Sequence, residues 1–326
     1  MSKIMVTGAT GLLGRAVVSQ LMALGHQVIA CGFSRARNNP QAEHEPPLHK
    51  LDLTQASAVA RFIEQQLPEV IVHCAAERRP DVSEQNPDAA LALNLDASQA
   101  LASAAKHHNA WLIYISTDYV FDGTAPPYRE SDSTHPVNFY GQSKRQGEQA
   151  ILDISESFAV LRLPILYGDV ERLEESAVLI LLKQLLNHQR QEVDDWAARR
   201  PTSTRDVAKA IAQMIERQQS MLGMQNGQAL AGIYHFSAEQ TFTKYQMLVR
   251  LGQLLGISHQ HLQPNATPTD CAKRPQDCTL SCERLGELGI VSTMTFDDGV
   301  VNALVASRVA LGQASPHLVA ALDKLL

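Results

Sequence analysis

Apolar and polar positions change in a regular rhythm along the first 165 residues. Ile4-Met5-Val6 is a short apolar run that stops at a glycine-rich turn. Leu12–Leu24 then repeats apolar residues at helical spacing and stops at Gly25, a normal helix terminator. Gln27–Gly32 predicts a second strand and Asn38–Pro47 a polar loop. Asp52-Leu53-Thr54 leads into a helix near Gln55–Gln66, with Thr54 at its N-cap. Val70–Cys74, Trp111–Ser116 and Ala159–Arg162 read as further strands, and Pro87–His107 and Tyr140–Ile151 as helices. Strand, helix, strand repeated in this way predicts a parallel sheet with right-handed crossovers. The nearly unbroken apolar strands suit a sheet covered on both faces. After Pro164 helical patterns dominate, near Ala177–Gln189, Asp206–Gln219, Lys244–Leu255 and Ala303–Leu326. The expected class is therefore α/β, a doubly wound parallel sheet over residues 1–163. A smaller, mostly helical substrate lobe is expected over 164–326, with some of its segments returning to the first domain.

Composition narrows the partners. Of 326 residues, 45% are hydrophobic and 19% charged, enough for a real core. The net charge is −6, so nucleic acid and anionic membrane surfaces are unexpected. The chain enters a strand at once, without the charged and apolar blocks of a secretory signal, and has no apolar run near 18 residues. A cytoplasmic location follows as an expectation. The five cysteines, Cys31, Cys74, Cys271, Cys278 and Cys282, then read as reduced thiols, and their spacing does not suggest a metal site.

Thr7-Gly8-Ala9-Thr10-Gly11-Leu12-Leu13-Gly14 places three glycines between a strand and a helix. Gly8 permits a tight turn, Gly11 lets a pyrophosphate approach the backbone, and Gly14 lets helix and strand pack closely. The helix N-terminus offers N–H groups to phosphate. This is the dinucleotide turn of a Rossmann domain. The second strand runs into Gly32-Phe33-Ser34-Arg35-Ala36-Arg37, with no acid to take a ribose 2′-hydroxyl. Arg35 and Arg37 match a 2′-phosphate instead, so the expected cofactor is NADP(H). Asp52 and Leu53 would flank the adenine.

Tyr140-Gly141-Gln142-Ser143-Lys144 puts a phenol and an ammonium four apart on one helix face, where the ammonium would lower the phenol pKa. Ser116 and Thr117 end a parallel strand, where ligands bind in such sheets. They point to opposite sides, so one of the two hydroxyls can meet a substrate carbonyl. Cys74 and His73 read as packed residues. Arg78 and Arg79, beside the nucleotide cleft, would meet a phosphate or a sugar diphosphate.

The glycine turn, the Ser-Thr strand end and the Tyr-x-x-x-Lys helix occur in the order of the short-chain dehydrogenase/reductase superfamily, in its extended form. Nearly the whole chain resembles the dTDP-4-dehydrorhamnose reductases, clearest in Ser116–Gly123, Pro136–Lys144 and Arg274-Pro275 with Leu280. Within that family it looks closer to the branch of the regulatory β subunit of methionine adenosyltransferase. Cys31-Gly32-Phe33 with Arg35-Ala36-Arg37, His73–Val82, Pro164–Gly168 and Leu173–Val178 carry that likeness.

The resemblance implies Thr117, Tyr140 and Lys144 as the catalytic positions. It implies NADP(H) contacts from Gly8, Thr10, Gly11, Leu12, Leu13, Gly14, Phe33, Ser34, Arg35, Arg37, Asp52, Leu53, Cys74, Ala75, Ala76, Arg78, Tyr140, Lys144 and Leu166. Asn94 matches a position that helps hold the catalytic lysine through water. Two segments depart from the sugar reductases: Leu163-Pro164-Ile165-Leu166 replaces a Thr-Ser-Trp-like stretch, and Glu77-Arg78-Arg79-Pro80 is more charged. Two functions fit. The expected one is an oxidoreductase activity, NADPH-dependent reduction of a 4-keto group on a nucleotide-linked deoxysugar, which retention of the Thr-Tyr-Lys set favours. The other is an NADP(H)-binding regulatory subunit docked on a methionine adenosyltransferase catalytic subunit. A homodimer is left open.

Overall fold

A computed structural model describes residues 1–33, 46–222, 229–267 and 272–325. Seven strands form the central sheet in the order β10-β6-β5-β4-β1-β2-β3, every neighbouring pair parallel. They are β1 Lys3–Thr7, β2 Gln27–Gly32, β3 Leu48–Lys50, β4 Val70–His73, β5 Trp111–Thr117, β6 Ala159–Leu163 and β10 Gly232–His235. Four short strands form two parallel pairs outside it. β7 Leu166–Tyr167 pairs with β9 Thr202–Ser203, and β8 Gln191–Asp194 with β11 Leu262–Asn265. The strand order reverses between β1 and β4, which places the crevice of a doubly wound sheet over their carboxyl ends.

The sheet is covered on both faces, and Val6, Ile71, Val72, Leu112 and Ile113 are buried. The helix Thr204–Leu222 belongs to the second half of the chain but packs against Leu12–Ala23 of the first. With β10 it returns to the main core, through Val207, Ile211 and Ile215. A second apolar core gathers Val178, Leu182, Leu248, Leu251, Val300 and Leu304.

Two strands are added and three local expectations are revised. Strands β3 and β10 sit at the two edges of the sheet and carry too few apolar residues for the periodicity to show. Thr54 is not the helix cap: its N–H and Oγ1–H both donate to Asp52 Oδ1, at 3.0 and 2.7 Å, and the helix Ala56–Gln66 starts after Gln55. The helix expected near Ala177–Gln189 is regular only over Leu181–Leu186. The C-terminal stretch is three helices, Phe296–Ala306, Arg308–Ala314 and Pro316–Leu325. Ser315 is extended ahead of Pro316, whose ring disfavours a helical residue before it. Ser307 is drawn inward, where its Oγ accepts the Val170 N–H at 2.9 Å. No described helix is long and apolar enough to cross a membrane.

Candidate active and cofactor site

A cleft of about 1150 Å³ runs over the carboxyl ends of the strands and under the second half of the chain. Its first end is built mainly from backbone. Gly8 sits at φ +64°, and a Cβ there would come 2.8 Å from the Ala75 nitrogen. A Cβ on Gly14 would lie 2.1 Å from the Gly8 carbonyl oxygen. Only glycine lets the turn, the helix and the β4 end meet so closely. The helix Leu12–Ala23 begins without a side-chain cap, leaving its first N–H groups to face an anion. Arg15 fixes the turn from behind, donating to the Thr10 carbonyl at 2.8 Å, the Asp169 carbonyl at 2.9 Å and Glu175 Oε2 at 2.6 Å.

The cleft brings together Gly8, Thr10, Gly11, Leu12, Leu13, Gly14, Phe33, Asp52, Leu53, Cys74, Ala75, Ala76, Arg78, Thr117, Tyr140, Lys144 and Leu166. Phe33 is half exposed, with Lys50 Nζ 5.7 Å from its ring centre. Ser34, Arg35 and Arg37, and with them the 2′-phosphate expectation, lie outside the described residues. Cys271 does as well. Burial pushes the Cys74 thiol up to about 12, so it packs as a small apolar group and supplies no thiolate. Arg79 turns away from the cleft and is held by Glu77, with Nη2 2.6 Å from Oε2.

The helix Phe139–Ile154 carries the phenol and the ammonium. It starts at Asn138, whose Oδ1 accepts the Gly141 N–H at 2.9 Å. Lys144 is buried, donates to the Ile115 carbonyl at 2.7 Å and lies 3.8 Å from the Tyr114 ring centre. Burial lowers its pKa to about 7, while the Glu148 carboxylate one turn later works against the drop. Burial, not the lysine, is the leading influence on Tyr140 and holds its phenol above the usual range; a Thr117 hydrogen bond works downward and Asp118 upward. The lowered phenol pKa expected from the sequence is thus replaced by a raised one, because burial desolvates the phenolate.

The two strand-end hydroxyls separate as the pleat requires. Ser116 is spent on Glu148, which also takes a bidentate Arg162 at 2.9 and 2.7 Å. Thr117 Oγ1 donates to Asp118 Oδ1 and accepts the Tyr119 N–H, both at 3.2 Å, and also bonds Tyr140. Thr117 is therefore the hydroxyl next to the phenol. Burial raises Asp118 to about 7, with Arg199 opposing.

Asn94 sits in one π-helical turn, Ala92–Asp96, inside the Pro87–His107 helix. It is fully buried and does not line the cleft, so any part it has in cofactor binding, where the sequence grouped it with the cofactor positions, is indirect. Its Oδ1 accepts the Glu77 N–H at 2.9 Å, and its Nδ2 donates to the Glu77 carbonyl and to Ser143 Oγ at 3.0 Å each.

The opposite wall comes from scattered segments: Pro164 and Ile165, Lys183 and Gln184, Glu192 and Asp194, Arg199, Lys244 and Arg274. Arg199 is buried there, donating to the carbonyls of Gln276 at 3.0 Å and Pro275 at 2.8 Å, with its guanidinium carbon 5.4 Å from the Tyr119 ring centre. Tyr119 in turn meets the Tyr140 ring edge-on, at 5.9 Å. Lys183, Glu192, Asp194 and Lys244 were not singled out from the sequence. Each is an ordinary polar residue in its own segment, and only the fold brings them to one wall.

Methionine adenosyltransferase 2 subunit beta of Bos taurus is 43% identical over 304 residues, covering 93% of this chain and 87% of the relative. A dTDP-4-keto-6-deoxy-D-glucose reductase of Streptomyces niveus is 31% identical, covering 82% of each chain. Among solved structures, a dTDP-4-dehydrorhamnose reductase from Clostridium acetobutylicum superposes with a TM-score of 0.78 at 27% identity, covering 95% of this chain and 99% of that one. The family model described as RmlD substrate binding domain matches residues 2–309. With the parallel sheet, the glycine turn and the Thr-Tyr-Lys cluster meeting in one cleft, the chain belongs to the RmlD substrate binding domain family of extended short-chain dehydrogenases/reductases.

Proposed function

We propose that this protein is an NADP(H)-binding subunit that associates with a methionine adenosyltransferase catalytic subunit. The observation that carries the partner is the 43% identity to a subunit beta over 93% of the chain. The glycine turn, the uncapped helix start and the adenosine end at Phe33 and Asp52 fit a dinucleotide. This reverses the lean toward a reductase drawn from the Thr-Tyr-Lys set alone.

One observation favours a second reading. Thr117, Tyr140 and Lys144 remain together in the cleft, and Lys244 lies on the opposite wall with Arg199, Lys183 and Arg274, which are held by protein partners, where an anionic substrate such as a nucleotide-linked 4-keto sugar would sit. Bound NADPH would supply the hydride. Thr117 would hydrogen-bond the carbonyl, Tyr140 would hold the proton for the oxygen, and Lys144 would place the ribose and stabilise the phenolate. Burial keeps the Tyr140 phenol protonated near neutral pH, so the proton is in place before the carbonyl oxygen needs it.

Size-exclusion chromatography of the chain mixed with a methionine adenosyltransferase catalytic subunit tests the first reading, beside an assay of NADPH oxidation with a dTDP-4-keto-6-deoxy sugar. Co-elution without turnover supports the subunit. Turnover abolished by Tyr140→Phe, without co-elution, replaces it with the reductase.

A further inference from the structure

His73 ends β4 directly beneath the cleft and is fully buried, as are Thr7, Ser98, Asn94 and Ser143. These five polar residues come from four elements and form one unbroken chain. Thr7 Oγ1 lies 2.7 Å from His73 Nδ1, and His73 Nε2 lies 3.0 Å from Ser98 Oγ. Ser98 donates to the Asn94 carbonyl at 3.0 Å. Asn94 Nδ2 donates to Ser143 Oγ at 3.0 Å, and Ser143 donates to the Tyr140 carbonyl at 2.9 Å. Thr7 immediately precedes the glycine turn, and Ser143 immediately precedes Lys144.

Hydrogen counting fixes the direction of the chain. The Ala75 N–H already donates to Thr7 Oγ1, at 3.4 Å. Were Nδ1 of His73 protonated, Thr7 Oγ1 would face two N–H donors and its own hydrogen would lose its acceptor. With the proton on Nε2, Thr7 donates to Nδ1 and His73 donates to Ser98. The Ser98 hydrogen is then left for the Asn94 carbonyl, and every group in the chain is satisfied. Burial and the Lys144 charge both disfavour the imidazolium, which is consistent with a neutral ring.

We infer that His73 is a positioning residue, which as its neutral Nε2–H tautomer ties the glycine turn through Ser98 and Asn94 to the Tyr140–Lys144 helix. It touches neither the cleft nor any reacting group. It sets the π-helical turn at Asn94, which in turn anchors Glu77 on the cleft wall and Ser143 on the helix. Its effect on dinucleotide affinity rests on the proposed NADP(H) reading; the tautomer and the tie to the Asn94 turn do not.

The test combines ring ¹⁵N NMR of the full chain, amide exchange across residues 92–96, and NADPH titration of His73→Leu, His73→Gln and Ser98→Ala. The His73 signals, assigned by their loss in His73→Gln, are expected to show a ring protonated at Nε2 that does not titrate between about pH 5 and pH 8. His73→Leu and Ser98→Ala are expected to speed exchange in the Asn94 turn and to weaken NADPH binding about tenfold. His73→Gln, which can accept from Thr7 and donate to Ser98, is expected to restore most of both. A His73 ring that is Nδ1-protonated or titrates in that range overturns the inference. So does unchanged exchange in Ser98→Ala, the variant that spares the β4 packing should His73→Leu not fold. A wild-type chain that binds no NADPH sinks the cofactor reading, and exchange and tautomer then still decide the relay.

Discussion

The two walls of the cleft are made in different ways. The cofactor wall is backbone, glycine and small apolar side chains, drawn from consecutive βα turns within the first 163 residues. The opposite wall mixes charged and apolar side chains from at least six separate segments, with Arg199 bound to the carbonyls of Gln276 and Pro275. Backbone geometry binds what every dinucleotide shares, whereas placed side chains read what differs between ligands. The family resemblance therefore speaks strongly for the first wall and leaves the occupant of the second to experiment.

The sharpest way to break this contrast is to add one methyl to the backbone wall. Gly14→Ala places a Cβ 2.1 Å from the Gly8 carbonyl oxygen, a backbone atom that cannot swing away. The expected cost is about 3 kcal/mol or more in stability, with NADPH affinity down at least ~100-fold. Urea unfolding and a fluorescence titration check it; a variant that binds normally would show that the turn tolerates spreading. On the opposite wall, Arg199→Met should cost about 2–4 kcal/mol, because the carbonyls of Pro275 and Gln276 lose a buried donor. Folded Arg199→Met should bind NADPH within about twofold of wild type, since binding energy for the cofactor resides in the other wall. Equal loss of NADPH affinity in both variants would erase the distinction.

The same division explains what was legible in the sequence. The strands β1, β2, β4, β5 and β6 declare themselves as apolar runs, and the glycine turn and the Tyr140–Lys144 spacing are local words. Strands β3 and β10 are short sheet edges, and the breaks at Ser307 and Ser315 follow from tertiary contacts and one proline. Lys183, Glu192 and Lys244 carry no local signal, since they meet only after β8, β11 and the intervening helices have packed. The role of Asn94 could be matched by position, but its burial behind Glu77 depends on a π-helical turn that periodicity does not reveal.

A smaller effect separates the buried lysine from its ordinary chemistry. Lys144 falls from an ordinary 10.5 to about 7 in the folded chain. Between those values the unfolded chain binds more protons than the native one, so this group makes stability rise with pH across that window. Its cost is full below about pH 7 and vanishes above 10.5. Lys144→Met should therefore flatten the alkaline rise in a series of urea midpoints. An unchanged slope would place the proton uptake elsewhere.

The smallest expected effect concerns two adjacent arginines that the sequence treats alike. Arg78 lines the cleft, while Arg79 lies outside it, paired with Glu77 and 62% exposed in its side chain. An ion pair so open to water is screened and gains little, so Arg79→Ala should change stability by less than about 0.5 kcal/mol and leave NADPH affinity as it is. Arg78→Ala, by contrast, removes a cation from the cleft itself, and about tenfold weaker NADPH binding is expected, growing with dilution of salt. Paired titrations at two ionic strengths decide it. If Arg79→Ala weakens binding as much as Arg78→Ala, the Glu77–Arg79 pair must open on ligand entry, and the charged stretch Glu77-Arg78-Arg79 would then read the ligand as a unit.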